Sequence, residues 1–247
     1  MKTKYLVILM VIVLLLASCD LFNPTTGTLI LKGVRSLPTP ALSKAQVVSV
    51  PTGSYSMHTK DIKFNFKEIY VSTSLVDSGI SDDFIWKLIG EDDTLRSLDE
   101  VEFIANDLPE GIYKSLKIVF GNEIIRYAVY ASDTSRTVEM ASSLTEGDAG
   151  DTTEVINYFS PGGSYYTHND TFNLMSEGES FQEFNINAGQ TTTIYWMIGD
   201  TTVQWTEYGF TWVDVDNNLA WTPGVDSTKN YWGPPNIPMW SFLVVEE

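Results

Sequence analysis

The feature that most constrains the fold is a strict alternation of apolar and polar side chains that begins at Ile62. Ile62, Phe64 and Phe66 alternate with Lys63 and Asn65. Side chains that alternate with a period of two point to opposite faces of a strand, so the pattern predicts a β-strand with one wet face. Beyond the first twenty residues, no segment has the 3.6-residue apolar period of an amphipathic helix. An all-β fold is therefore expected.

Short apolar segments bounded by turn residues recur along the rest of the chain. Such spacing is typical of an antiparallel β-sandwich with long loops, which is the predicted fold class. Gly121-Asn122 is predicted to be a hairpin turn, and residues 141–151 are predicted to form an exposed loop. The further predicted strands are residues 28–32, 84–88, 101–103, 112–120, 124–130, 181–187, 191–198, 207–215 and 239–245.

The first nineteen residues have the pattern of a cleaved secretory signal. Lys2 and Lys4 precede an apolar run over residues 5–16. This run is shorter than the roughly 20 residues that a membrane-spanning helix needs, and it ends in small residues. The four closing residues resemble the bacterial lipobox: Leu16, Ala17, Ser18 and Cys19.

The lipobox resemblance implies that Cys19 carries lipid. Its thiol would take a diacylglyceryl group, cleavage before Cys19 would follow, and the new amino group could then be acylated. Two or more acyl chains make a stable membrane anchor, whereas one gives only marginal binding. We therefore expect a lipid-anchored protein of the cell envelope. The outer membrane or cell surface is the preferred location, and the inner membrane stays open.

Domain organisation and partner classes follow from the same division of the chain. Residues 1–18 form the signal peptide, 19–26 a tether and 27–247 one β-sandwich domain, with a possible subdivision near residues 141–151. Loss of Lys2 and Lys4 with the signal changes the formal net charge from −17 to −19. Such a charge repels nucleic acid, which is excluded as a partner. Cys19 is the only cysteine, so the mature domain has no disulfide or zinc-thiolate site.

Several segments in order resemble an uncharacterised family of bacterial lipoprotein domains with an immunoglobulin- or transthyretin-like β-sandwich. The resemblance covers roughly residues 27–130 and implies no known activity or catalytic residue. The segments that carry it are Gly27-Thr28-Leu29-Ile30-Leu31 after the lipobox, Glu68-Ile69-Tyr70-Val71, Trp86-Lys87-Leu88, and Leu108-Pro109-Glu110-Gly111-Ile112-Tyr113 before Leu116-Lys117-Ile118.

Motifs for catalysis are missing from the sequence. The two histidines, His58 and His168, lie far apart, and neither belongs to a zinc-binding helix pattern. Both are predicted to be loop or rim residues. No Gly-x-Ser-x-Gly elbow and no phosphate-binding glycine loop occurs. The chain is therefore predicted not to be an enzyme.

The best candidate for an ion site is Asp214, Asp216 and Asn218. Acidic and amide oxygens at alternate positions can converge on calcium, which takes six to eight oxygen ligands. A helix–loop–helix calcium site would need glycine and glutamate where this chain has Leu219 and Val225. No cofactor is required by the sequence. An Asx-rich turn is the preferred interpretation and a calcium site is the alternative.

Aromatic residues give a second candidate site. Six of the seven tryptophans lie in the last fifty-two residues. Trp196 and Trp212 alternate with apolar neighbours and are predicted to be core. Trp221, Tyr231 and Trp232 lie beside prolines and glycines instead, and exposed loop aromatics suit sugar faces or protein contacts. Closure of the ends of the sandwich by these rings is the preferred interpretation, and ligand binding is the alternative.

These observations favour a non-catalytic binding or structural module of the cell envelope with a protein or glycan partner. One alternative is a fimbrial or adhesin-type subunit that polymerises by strand exchange. The other is a secreted hydrolase, for example a glycosidase that uses a pair of carboxylates. No spacing in the sequence selects such a pair.

Overall fold

A computed structural model describes residues 25–35, 54–77, 84–144, 154–168, 171–177, 181–198, 209–229 and 240–247. The predictions for Leu16, Ala17, Ser18 and Cys19 fall outside the described residues. The same holds for those for Tyr231 and Trp232.

The all-β prediction is confirmed. The described residues contain one short 3₁₀ helix, Leu98–Glu100, and none of their helices is long and apolar enough to cross a membrane. Within the same residues, the sixteen strands are β1 (Thr26–Gly33), β2 (Ser54–Ser72), β3 (Lys87–Glu91), β4 (Leu95–Ser97), β5 (Glu102–Pro109), β6 (Gly111–Tyr113), β7 (Ser115–Tyr130), β8 (Asp133–Ser143), β9 (Val155–Ser160), β10 (Gly163–His168), β11 (Thr171–Glu177), β12 (Phe184–Ile186), β13 (Thr191–Ile198), β14 (Gly209–Val213), β15 (Ser227–Lys229) and β16 (Trp240–Glu246).

Two main sheets form the sandwich. A four-stranded sheet has the order β16-β13-β1-β5, and a ten-stranded sheet has β2 and β7 at its centre, with the path β11-β10-β9-β7-β2-β14-β15. Strands β3 and β4 also pair with β2, β8 pairs with β7, and β12 pairs with β6. Register shifts along β2 and β7 add residues to one strand, which bends the ladder and increases its twist.

One strand pair departs from the predicted antiparallel pattern. Strand β1 pairs in parallel with β13, from Thr28 opposite Thr191 to Gly33 opposite Trp196. Its other edge pairs antiparallel with β5. Parallel neighbours cannot be joined by a tight turn, and β1 and β13 are accordingly far apart in sequence.

The space between the two sheets is filled by aromatic side chains. Phe66 of β2 lies 5.3 Å from Phe120 of β7 and 5.4 Å from Trp196 of β13, measured between ring centroids. Trp196 in turn stacks on Trp240 at 5.4 Å. Phe66, Phe120 and Trp196 are fully buried, so the prediction that Trp196 belongs to the core is confirmed.

A second, smaller core lies on the other half of the two long strands. Its most buried side chains come from β2, β7 and β14: Met57, Ala128, Tyr130, Phe210 and Trp212, with Val138 and Met140 of β8 beside them. Trp212 is fully buried, which confirms the core prediction for its strand. Strands β2 and β7 thus connect the two cores.

The predicted hairpin turn at Gly121-Asn122 is wrong. Strand β7 runs through both residues without interruption, and both are buried. The glycine is needed for a close approach: a methyl group on Gly121 would lie 2.9 Å from Nδ2 of Asn65 on the neighbouring strand. A glycine inside a strand often marks such an approach.

Three predicted boundaries also differ from the structure. Residues 84–86 are irregular, and β3 begins only at Lys87. Lys114 interrupts the predicted strand over residues 112–120, which divides it into β6 and the start of β7. Residues 141–143 belong to β8 rather than to a loop. Residues 141–143 are held in the strand by pairing with Glu123, Ile124 and Ile125 of β7.

Candidate functional site

The candidate ion-site residues lie in the loop between β14 and β15, called here the acidic loop (residues 214–226). The two strands pair antiparallel, with Val213 opposite Ser227. This register places Asp214 and Asp226, the residues just beyond that pair, opposite each other. The loop thereby gains an acid that local spacing did not indicate.

Three carboxylates converge in the acidic loop. One oxygen each from Asp214, Asp216 and Asp226 lies within 4.8 Å of the other two. Asp214 and Asp226 are buried, with 3% and 8% exposure, whereas Asp216 is exposed. Like charges at this separation repel in a poorly solvated position unless donors or cations compensate them.

Hydrogen-bond donors of the loop and its strands compensate the two buried acids. Asp226 accepts the backbone N–H groups of Val215 and Thr222, each at 2.9 Å, and the indole N–H of Trp212 at 3.2 Å. Asp214 accepts the backbone N–H of Leu219 at 3.0 Å and that of Asn218 at 3.2 Å. These bonds offset part of the free-energy cost of burying the two carboxyl groups.

The exposed members of the loop also bond to each other. Asp216 accepts the side-chain amide of Asn218 and the hydroxyl of Thr222, both at 2.9 Å. The amide oxygen of Asn218 accepts the N–H of Ala220. The structure therefore places Asn218 beside the acids with its oxygen already engaged, and Asp226 takes the third acidic position.

The backbone of the loop is strained at one position. Asn217 and Leu219 have φ angles of 56° and 61°. Asparagine tolerates this left-handed region, but leucine seldom occupies it. The N–H of Leu219 bonds to the buried Asp214, and this bond holds the unfavourable backbone angle in place.

Chemically, the acidic loop has the oxygen donors of a hard-cation site. Three carboxylates would supply three or more of the six to eight oxygen ligands that calcium takes. Oδ2 of Asp226 and Oδ2 of Asp216 each already accept two hydrogen bonds from groups of the loop and its strands.

Trp221 packs onto the second core. Its indole N–H donates to the carbonyl of Ala141 at 2.8 Å, and its half-buried ring contacts the second core. This contact supports the preferred interpretation that the aromatic closes one end of the sandwich. Trp221 offers only part of its surface to a ligand.

The loop prediction for His58 is wrong. His58 lies within β2, half-buried, between Gly209 of β14 and Val129 of β7. The backbone of His168 ends β10. Strand β2 begins at Ser54, well before the clear alternation at Ile62. A register shift between Thr59 and Asp61 breaks the two-residue period, so the sequence pattern does not reveal the first part of the strand.

A cation–aromatic cluster on the ten-stranded sheet was not indicated by the sequence. The ammonium of Lys117 lies 3.7 Å from the centre of the Tyr70 ring and 5.2 Å from that of Trp86. Burial lowers the pKa of Lys117. The hydroxyl of Tyr70 donates to Glu68 at 2.6 Å, and this bond raises the pKa of Tyr70 to about 12.

Comparisons with known proteins gave no relatives. No protein-family model matches the chain, and searches among curated proteins and solved structures returned no significant match.

Proposed function

We propose that this chain is a lipid-anchored protein of the cell envelope whose β-sandwich is a non-catalytic binding or structural module. The observation that carries the proposal is the sequence Leu16-Ala17-Ser18-Cys19, which closes a short apolar run a few residues before β1. A lipidated cysteine at that position would tether the sandwich to a membrane.

The sandwich supports a non-catalytic role. Asp214 and Asp226, the two buried acids in the part of the chain that the structure describes, accept hydrogen bonds from backbone and indole N–H groups. A glycosidase needs two carboxyl groups that face the substrate. Asp214 and Asp226 are buried instead, and the donors that bond to them come from the loop and its strands. The hydrolase alternative is therefore the weaker of the two.

Labelling with a fatty-acid analogue tests the anchor. Wild-type protein expressed in a bacterial host should incorporate the label and fractionate with membranes. Cys19→Ser should lose the label and leave the membrane fraction. Label retained by Cys19→Ser would place the anchor elsewhere and refute the proposal, and sucrose-gradient fractionation would distinguish the preferred outer membrane from the inner one.

A pull-down from whole envelope with the tether intact tests the binding role. We expect the lipidated chain to retain a protein or glycan partner. An unrelated lipoprotein with the same tether should not retain that partner. Turnover of a glycoside library that Asp226→Asn abolishes would instead identify a hydrolase. A purified soluble form that stays monomeric would count against the fimbrial alternative.

A further inference from the structure

We propose that the domain has a fixed orientation on its membrane, with one end toward the lipid headgroups and the acidic loop at the opposite end. The inference rests on lipid attachment at Cys19, the proposed function. The surface that faces the lipid is called here the anchor end, and is defined by Thr25, Ser72, Glu110, Ile112 and Lys114.

The length of the tether limits the distance between the membrane and β1. Five residues separate Cys19 from Thr25. A chain extends at most about 3.6 Å per residue, so Thr25 lies within about 20 Å of the lipidated cysteine in any tether conformation.

Hydrogen bonds link the start of β1 and one end of the ten-stranded sheet to residues 110–114 at the anchor end. The carbonyl of Thr25 accepts the N–H of Glu110 at 3.0 Å, and the N–H of Lys114 donates to Ser72 at 2.8 Å. Glu110 and Lys114 are only four residues apart. Ser72, the last residue of β2, and Ser115, the first of β7, therefore lie at the same end of the domain as Thr25.

The acidic loop lies at the other end of the same strands. Val213, which precedes the loop, pairs with Ser54, the first residue of β2. Tyr130, the last residue of β7, pairs with Met57. Strand β7 has sixteen residues, which corresponds to a length of up to about 50 Å before bending is taken into account. The loop therefore lies at the end of β2 and β7 that is opposite Ser72 and Ser115.

The anchor end suits a headgroup layer without net charge. Ile112 is 48% exposed there. The backbones of Glu110 and Glu247 lie near the start of β1, since the N–H of Glu110 donates to Thr25 and that of Glu247 to Thr191, which pairs with Thr28. These two acids outnumber Lys114, the cation of the anchor end, and oppose close contact with anionic lipid. We therefore assign a zwitterionic lipid surface as the partner of the anchor end, at a distance from it that the tether length limits.

Energy transfer to labelled lipid tests the orientation. Lipidation uses the only native cysteine, so an introduced cysteine is the single free thiol of the lipidated chain. Ile112→Cys places a fluorophore at the anchor end, and Ser132→Cys places it in the exposed β7–β8 turn at the distal end. The lipidated proteins are inserted in phosphatidylcholine vesicles that carry a headgroup acceptor dye. Glu110→Cys provides a second anchor-end position if Ile112→Cys lowers the melting temperature.

Transfer should be several-fold stronger from residue 112 than from residue 132. Equal transfer from both positions, or stronger transfer from residue 132, would overturn the orientation while leaving the anchor intact. Mass spectrometry of the same samples counts the acyl chains on Cys19. A chain without them would refute the anchor itself, and with it the orientation.

Discussion

The indole N–H of Trp212 donates to the carboxylate of Asp226 at 3.2 Å, which links the acidic loop to the second core. Trp212 is fully buried, and Asp226 is 8% exposed. The same carboxylate accepts two backbone N–H groups of the loop. One side chain therefore fixes the loop conformation relative to the end of the sheet.

Replacement of Asp226 should destabilise the domain. Asp226→Ala removes the acceptor of three hydrogen bonds and leaves buried donors unpaired, so we expect a loss of about 3 kcal/mol in the free energy of unfolding. The matched control is Asp216→Ala, whose exposed carboxylate should cost about 1 kcal/mol or less. Urea denaturation measures both. Equal losses for the two variants would contradict the assigned role of Asp226.

Calcium should have little effect on the melting temperature. Each of the three carboxylates of the acidic loop already accepts hydrogen bonds from groups of the protein. We therefore expect the same Tm in chelator and in millimolar calcium. The contrary result is clear: ligand binding to the native state raises Tm in proportion to affinity and concentration. A rise of several degrees that is lost in Asp214→Asn would establish a calcium site.

Alanine at two glycines should reveal how tightly the strands approach. A methyl group on Gly121 would meet the side chain of Asn65, whereas one on Gly33 would meet the backbone carbonyl of Leu98. The side chain of Asn65 can rotate away from an added methyl group, whereas the backbone at Leu98 has much less freedom to move. We expect Gly121→Ala to cost about 1–3 kcal/mol and Gly33→Ala to cost more.

The double variant Asn65→Ala/Gly121→Ala provides the internal control. Removal of the obstructing side chain should recover part of the loss, which would appear as a favourable coupling energy in the double-mutant cycle. Additive losses would show that Gly121 is needed for another reason.

Tyr70 should ionise only at high pH. Glu68 accepts its hydroxyl hydrogen bond, and the pKa of Tyr70 is raised to about 12. A raised folded-state pKa stabilises the protein below the ordinary tyrosine pKa of about 10, and this contribution is lost as the pH rises from about 10 to 12. The unfolding free energies of wild type and Tyr70→Phe should converge over that range. Glu68→Gln should return the pKa toward its ordinary value in a spectrophotometric titration, and an unchanged titration would exclude Glu68 as the cause.

The sequence predicted the parts of the fold that depend on local alternation. The strand from Ile62 through Val71 and the strand over residues 191–198 are examples. It failed where a distant strand decides the outcome. Glycine is common in turns, but Gly121 lies inside β7. A glycine is required there because the side chain of Asn65 on β2 occupies the space that a Cβ atom would need.

In the acidic loop too, local sequence predicted some of the site residues, and strand pairing determined the rest. Asp214 and Asp216 could be named from local spacing, since alternate acidic residues stand out in the sequence. Asp226 could not, because its place depends on the pairing of Val213 with Ser227. A prediction of the β14–β15 hairpin register would have supplied the missing acid.

The parallel pairing of β1 with β13 has a consequence for the order of folding. Strand β1 is the first segment of the sandwich to emerge, yet one of its two edges stays open until residues 191–198 arrive. Contacts between segments so far apart in sequence are slow to form, because a long loop must close first. Strand β1 would therefore expose an unpaired edge for longer than any strand that pairs with its sequence neighbour.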